Sequence, residues 1–133
     1  MKVAVAGLGL IGGSVALAAA ERLDADVYGV DPDESAAQAA IARGAVSSTT
    51  LPAEVDVVVV AAPVPELAAT IEELAARYPD AVVTDVGSTK SALPTTHPNY
   101  IGGHPLAGAE VAGVEHARAD LFDGATWFLT PHS

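Results

Sequence analysis

Three glycines between an apolar run and a helical pattern strongly constrain how this chain can begin its fold. Gly7, Gly9 and Gly12 follow the apolar run Lys2–Ala6 and open the helical pattern Leu10–Arg22. The first glycine suits a tight strand-to-helix turn, the second lets the backbone approach a pyrophosphate, and the third lets the helix pack closely on the strand. Free N–H groups at such a helix start attract phosphate. The spacing therefore predicts a strand–turn–helix unit that binds a dinucleotide.

The same stretch also has features of a secretory signal or of a membrane span. Lys2 would be the basic residue, and Val3–Ala20 would be the apolar core. Four glycines within that core weaken a membrane helix, and removing the segment would take away the first predicted strand. Asp31 ends the next apolar run, about 20 residues beyond the glycines, where the dinucleotide fingerprint places an acid. We therefore favour the nucleotide-binding interpretation.

Strand-like and helical segments alternate along the rest of the chain. The predicted strands are 2–6, 26–30, 55–62, 81–86, 100–102 and 126–130, and the predicted helices are 10–22, 33–43, 65–77, 88–93 and 111–119. Asp33 is a good N-cap and Gly44 a good residue to follow a helix end. Such alternation predicts a doubly wound, mostly parallel α/β sheet of the Rossmann type, with residues 1–133 as one domain. Ligands bind such sheets beyond the carboxyl ends of the strands.

The charge balance limits the partners of this chain. It has 6 basic and 17 acidic residues and a net charge of −11, which argues against nucleic acid or an anionic membrane as partners. Four basic residues are predicted at the edge away from the ligand, namely Lys2, Arg22, Arg43 and Arg77. Only Lys90 and Arg118 could face an anion, so backbone N–H groups must carry most of the phosphate binding.

Cysteine is absent, and no His, Asp and Glu residues show metal-ligand spacing, so we predict neither a disulfide nor a metal site. In the absence of a credible signal we expect a cytoplasmic protein.

Asp31 bears on the choice of cofactor. A carboxylate at this place accepts hydrogen bonds from ribose hydroxyls and repels a 2′-phosphate, which favours NAD over NADP. The alternative is that Asp31 merely caps the helix that begins near Asp33. The residues predicted to contact the cofactor lie in the glycine-rich turn and at the strand ends: Gly7, Gly9, Leu10, Ile11, Gly12, Asp31, Ala62, Pro63, Val64 and Gly87.

Two later segments are polar and rich in glycine. They are Asp85–Lys90 (DVGSTK) and Gly102–Gly108 (GGHPLAG), the latter followed by Glu110. Together with Gly7–Ser14 they make the chain resemble the prephenate/arogenate dehydrogenase family of tyrosine biosynthesis. The resemblance spans nearly the whole chain and continues through Leu121, Phe122, Gly124 and Trp127 to Pro131.

The resemblance implies an NAD-dependent oxidative decarboxylation. A hydride passes from the ring carbinol carbon to the nicotinamide, and the ring carboxylate leaves as carbon dioxide. Prephenate would give 4-hydroxyphenylpyruvate, and arogenate would give tyrosine.

The resemblance also implies roles for three residues. His104 would deprotonate the ring hydroxyl or accept its hydrogen bond, which suits a neutral imidazole. Ser88 would hydrogen-bond near the same hydroxyl, although it could instead cap a short helix at Thr89. Lys90 would place positive charge near the substrate. These three residues are therefore the candidate catalytic and substrate-binding groups.

Family members continue into an all-helical domain that forms a homodimer and supplies basic residues for the substrate carboxylates. We therefore expect residues 1–133 to be the cofactor-binding half, able to bind NAD but to turn over little substrate alone. Two alternatives remain open: another NAD(P)-dependent enzyme of this fold, such as a β-hydroxyacid dehydrogenase or imine reductase, and a non-catalytic NAD-binding sensor module. The choice between prephenate and arogenate also stays open.

Overall fold

In the computed structural model, which describes residues 1–86, 98–105 and 127–131, six strands form one sheet. The strands are β1 (Lys2–Ala6), β2 (Asp26–Val30), β3 (Val57–Val60), β4 (Val82–Asp85), β5 (Tyr100–Pro105) and β6 (Trp127–Pro131). The helices within these residues are α1 (Leu10–Arg22), α2 (Glu34–Ala42) and α3 (Val64–Arg77). The strand order is β2-β1-β3-β4-β5-β6, with β1 to β5 parallel and β6 antiparallel to β5. The predicted mostly parallel α/β sheet is confirmed.

The central strand β1 is buried on both faces, as an apolar run between two helical layers should be. Val3 and Val5 pack into a cluster with residues of α1 and α2 on one face. Ala4 and Ala6 pack on the other face with residues of α3, β3 and β4. The segment 2–22 is thus a core strand and the helix that covers it. Among the described residues, no helix has both the length and the apolarity to cross a bilayer.

The sheet extends beyond β2 by a single bridge that sequence patterning did not predict. Tyr28 pairs in parallel with Ser48. The Ser47 N–H donates to the Val27 carbonyl at 2.8 Å, and the Gly29 N–H donates to the Ser48 carbonyl at 3.1 Å. Segment 47–50 is a polar Ser-Ser-Thr-Thr run, so neither alternation nor β-branched apolar residues mark it as a strand.

Strand lengths differ from the predictions at three places, and at one of them β4 covers only 82–85 instead of 81–86. β3 covers only 57–60 instead of 55–62. Beyond the strand, the Ala61 N–H still donates to the Ala6 carbonyl at 2.6 Å. Pro63 is then the N-cap of α3. β5 runs to Pro105 instead of ending at Gly102, because β6 pairs along it from Ile101 to Pro105. The predicted helical segments 88–93 and 111–119 lie outside the described residues.

Local capping at α2 follows the sequence closely. The Asp33 side chain is the N-cap and accepts hydrogen bonds from the Ser35 N–H at 3.0 Å and the Ala36 N–H at 3.4 Å. The Ser35 hydroxyl also donates to this carboxylate, and these bonds lower the pKa of Asp33. Gly44 adopts φ +76° after the helix, as the predicted C-terminal glycine requires.

The four basic residues that were predicted to lie away from the ligand edge do so. Lys2 is the first residue of β1, and Arg43 is the C-cap of α2. Arg22 and Arg77 lie in the last turns of α1 and α3.

Candidate functional site

The carboxyl ends of β1 and β3 meet at the topological switch point of the sheet. From β1 the chain moves to β2 on one side, and from there it crosses to β3 on the other; ligands of open α/β sheets bind at such a point. The turn after β1 begins at Gly7, whose φ is +99° and whose N–H donates to the Val30 carbonyl at 2.8 Å. A Cβ on Gly7 would lie 2.5 Å from the Ala61 carbonyl oxygen. Only glycine fits there, as predicted.

The other two glycines of the turn differ in what surrounds them. A Cβ on Gly12 would overlap the Gly7 carbonyl oxygen and lie 3.1 Å from the Ala61 Cβ, so this glycine lets α1 sit against the strand ends. A Cβ on Gly9 would meet no atom of the described residues within 4 Å. Packing therefore requires glycine at position 12, whereas position 9 borders open space at the start of α1.

The start of α1 is prepared for an anion. Its N-cap is Gly9, no side chain of the described residues caps it, and its first turn contains no acidic residue. The first-turn N–H groups, on Leu10, Ile11 and Gly12, have no acceptor four residues earlier within the helix. They point, with the positive end of the helix dipole, toward the open space beside Gly9. In a chain of net charge −11, the donors that this helix start offers to an anion come from the backbone.

Asp31 ties the glycine-rich turn to the end of β2. Its Oδ2 accepts the Leu8 N–H at 2.7 Å, and its Oδ1 accepts the Asp33 N–H at 2.8 Å. The helix cap is Asp33 and not Asp31, so the interpretation of Asp31 as merely a capping residue is wrong. Its carboxylate lies half-buried beside the turn, at the position that the fingerprint predicts.

The end of β3 lies on the side of β1 that is opposite to β2. Ala62 is half-buried, Pro63 is exposed and is the N-cap of α3, and Val64 begins that helix. Contact between Gly7 and Ala61 brings this segment next to the glycine-rich turn. Of the other predicted site residues, Gly87, Ser88 and Lys90 lie outside the described residues.

His104 belongs to β5 rather than to a loop after it. Its backbone pairs with Phe128 of β6, three residues beyond the point where β4 and β5 last pair, at Thr84 and Ile101. Because β4 and β5 are parallel, their carboxyl ends lie at the same edge of the sheet as the glycine-rich turn. The backbone thus places His104 at the predicted edge.

A buried acid–phenol pair joins β4 to β5 at this edge, and sequence reasoning missed it. Asp85 is fully buried, and the Tyr100 hydroxyl donates to its Oδ1 at 2.7 Å. Burial, together with the hydrogen bond and charge of Asp85, raises the pKa of the Tyr100 phenol. The available signal was Asp85 at the end of an apolar strand, because a carboxylate is costly to bury unless a hydrogen-bond donor contacts it.

Replacing Tyr100 by phenylalanine should lower the free energy of unfolding by about 1–3 kcal/mol at neutral pH, because buried Asp85 loses a donor. The raised pKa adds a pH dependence. The phenol ionises in the unfolded chain near pH 10 but later in the folded one, so its contribution is complete below about pH 10 and declines above it. Urea unfolding from pH 7 to 11 should show a steeper loss above pH 10 for wild type than for Tyr100→Phe.

Tyr78→Phe is the matched control, because its hydroxyl donates to the neutral Pro52 carbonyl at 2.6 Å. Tyr78→Phe should lower the free energy of unfolding by about 1 kcal/mol. A Tyr100→Phe protein as stable as wild type at neutral pH would contradict the assigned role of the pair.

Comparison with known proteins identifies the family. The family model described as the nucleotide-binding domain of prephenate dehydrogenase matches residues 15–133. The chain belongs to this family. Prephenate dehydrogenase of Bacillus subtilis (strain 168) is 36% identical over 143 residues, an alignment that covers 96% of this chain and 38% of that protein.

Solved structures of the same family superpose on nearly all of the chain. Arogenate dehydrogenase of Synechocystis matches with a TM-score of 0.89 and 32% identity, over 100% of this chain and 51% of that one. Prephenate dehydrogenase of A. aeolicus was solved in complex with hydroxyphenyl propionate and NAD+. It matches with a TM-score of 0.90 and 29% identity, over 100% of this chain and 51% of that one. The chain thus spans about half or less of the length of these relatives and corresponds to their nucleotide-binding part.

A metal centre is not evident in the part of the chain that the structure describes, where no three His, Cys, Asp or Glu residues group together as ligands.

Proposed function

We propose that this chain is the NAD-binding part of a prephenate or arogenate dehydrogenase. The observation that carries the proposal is the start of α1, where the first-turn N–H groups have no side-chain cap among the described residues and lie beside the open space at Gly9. Those residues fit a pyrophosphate, because backbone donors and a helix dipole need no cationic side chain. Family membership and the NAD+ complex of the A. aeolicus relative support the same cofactor.

The proposed reaction is oxidative decarboxylation of a cyclohexadienol, in which bound NAD supplies the acceptor for the hydride. His104 takes the proton of the ring hydroxyl, since loss of that proton makes hydride departure from the carbinol carbon easier. Ser88 hydrogen-bonds the same hydroxyl, and Lys90 offers positive charge to the substrate. The place of His104 in β5, at the edge that carries the glycine-rich turn, supports this assignment.

The substrate side of the site is proposed to need more protein than residues 1–133. Prephenate carries two carboxylates, whereas four of the 6 basic residues of this chain, Lys2, Arg22, Arg43 and Arg77, lie at the opposite edge. The relatives are at least about twice as long as the matched part. We propose that a helical domain of the family type supplies the missing cations and the homodimer contacts, in a cytoplasmic enzyme, and that the isolated chain binds NAD with little turnover.

Calorimetric titration of the chain with NAD and with NADP tests the cofactor proposal. NAD should bind more tightly, because the Asp31 carboxylate repels a 2′-phosphate. Asp31→Asn removes this charge but keeps one acceptor oxygen, so the preference for NAD should fall about tenfold, as a change of about 1.4 kcal/mol in charge repulsion would give.

The matched control is Asp33→Asn, which removes a neighbouring charge and keeps a good N-cap. It should leave most of the preference in place. Equal affinity of the wild-type chain for NAD and NADP would rule out the specificity role of Asp31, and binding of neither would rule out the proposed cofactor site.

A further inference from the structure

The glycine-rich turn is anchored beside β2 in part through Leu8, which lies outside the predicted set of cofactor contacts. The Leu8 N–H donates to Asp31 Oδ2 at 2.7 Å, and its side chain is fully buried in the cluster beneath α1 and α2. Its neighbour Gly7 donates its own N–H to the Val30 carbonyl. The turn is therefore held by the buried Leu8 side chain and by the Asp31 carboxylate.

The Leu8 side chain rests on Gly29 in the middle of β2. A Cβ at position 29 would lie 2.9 Å from Leu8 Cδ2, 3.1 Å from Leu8 Cδ1 and 2.7 Å from Val46 Cγ1. Gly29 does not have a positive φ, so no unusual backbone conformation calls for glycine here. Its missing side chain instead leaves space that the Leu8 and Val46 side chains occupy.

We propose that Gly29 is a positioning residue for nucleotide binding, acting through Leu8 on the glycine-rich turn. The inference rests on the proposed binding of NAD at this turn. A methyl group on residue 29 would press on Val46 and on the fully buried Leu8 side chain, and buried side chains pack closely enough that such a change is felt. Ordinary contact needs 3.4 Å or more, so the Val46 and Leu8 side chains both have to give way. Under the proposal, Leu8 moves away from residue 29, and its bond to Asp31 lengthens. The first-turn N–H groups of α1 then leave the positions that suit a pyrophosphate.

Gly29→Ala tests the proposal, with Gly44→Ala as a control of the same chemistry. Gly44 has φ +76°, and a Cβ there meets nothing within 4 Å, so alanine strains the end of α2 without touching the turn. Both variants should lose stability. Only Gly29→Ala should bind NAD about tenfold more weakly by calorimetry, as expected when a hydrogen bond to a charged group is disrupted. Affinities are compared at a temperature where both variants are fully folded.

Hydrogen exchange of the Leu8 amide provides a readout that needs no ligand. It should be faster in Gly29→Ala than in wild type and unchanged in Gly44→Ala. Wild-type affinity in Gly29→Ala would show that Val46 yields instead of Leu8, and would overturn the proposal. Equal weakening in Gly44→Ala would also overturn it, because general destabilisation would then be the cause. Failure of the wild-type chain to bind NAD would refute the proposed function, while Leu8 exchange would still test the anchor.

If Gly29→Ala does not fold, a second pair of variants decides the matter. Leu8→Ala removes the anchoring side chain, and Leu74→Ala makes the same truncation in the buried face of α3. Both should lose stability through the cavity they leave. Only Leu8→Ala should weaken NAD binding, and equal affinities in the two variants would contradict the inference.

Discussion

Gly9→Ala is expected to weaken NAD binding by about tenfold to a hundredfold while the chain stays folded. A Cβ on residue 9 touches no atom within 4 Å in the part of the chain that the structure describes, and alanine in place of glycine at an N-cap costs at most about 1 kcal/mol of stability. Under the proposed function, however, that methyl group occupies the space through which the pyrophosphate reaches the helix start. Losing one charge-assisted hydrogen bond of about 1.5–3 kcal/mol gives a loss of this size.

Gly12→Ala is the informative contrast, because the same one-carbon change there should damage folding first. Its Cβ would overlap the backbone oxygen of Gly7, which cannot move without displacing the turn. We expect a loss of about 3 kcal/mol or more in urea unfolding, at the upper end of overpacking effects. Calorimetry and unfolding of the two variants should thus separate binding from stability. Unaltered NAD affinity in Gly9→Ala would show that the cofactor does not pass this residue.

His104→Ala should lower turnover by about a hundredfold to ten-thousandfold, the usual contribution of a positioned acid–base group. The measurement needs a protein that joins this chain to a helical domain of the family type, with prephenate or arogenate as substrate and NADH formation followed by absorbance. NAD affinity should be unchanged, since His104 is assigned to the substrate hydroxyl and not to the cofactor.

His116→Ala is a suitable control, because it removes another imidazole that has no assigned role. It should keep wild-type turnover. Wild-type turnover in His104→Ala as well would show that another group accepts the proton, and it would favour a different enzyme of the same fold.

Sequence alone was sufficient where structure depends on neighbours along the chain. The turn and helix from Gly7 to Arg22 follow from glycine spacing and helical periodicity, and Asp33 and Gly44 mark the ends of α2 by their capping chemistry. Sheet class followed from the alternation of strands and helices. These features are short-range, so residue type and spacing carry most of the relevant free energy.

Features that depend on which strands become neighbours could not be predicted in this way. The length of β5 is decided by β6, which pairs with it from more than twenty residues away. Tyr100 reaches Asp85 across 15 residues, and the need to bury that carboxylate becomes visible only once β4 and β5 lie side by side.

For the candidate site, the sequence by itself determined that a glycine-rich turn, an acid at Asp31 and a histidine at residue 104 would lie at one edge of a parallel sheet. Tertiary structure alone decided how that turn is held. Asp31 accepts a hydrogen bond from Leu8, 23 residues earlier, and Leu8 rests on Gly29 in the adjacent strand. The reason is physical: spacing along the chain fixes turns and helix starts, whereas the fit of a buried side chain exists only between segments that folding has brought into contact.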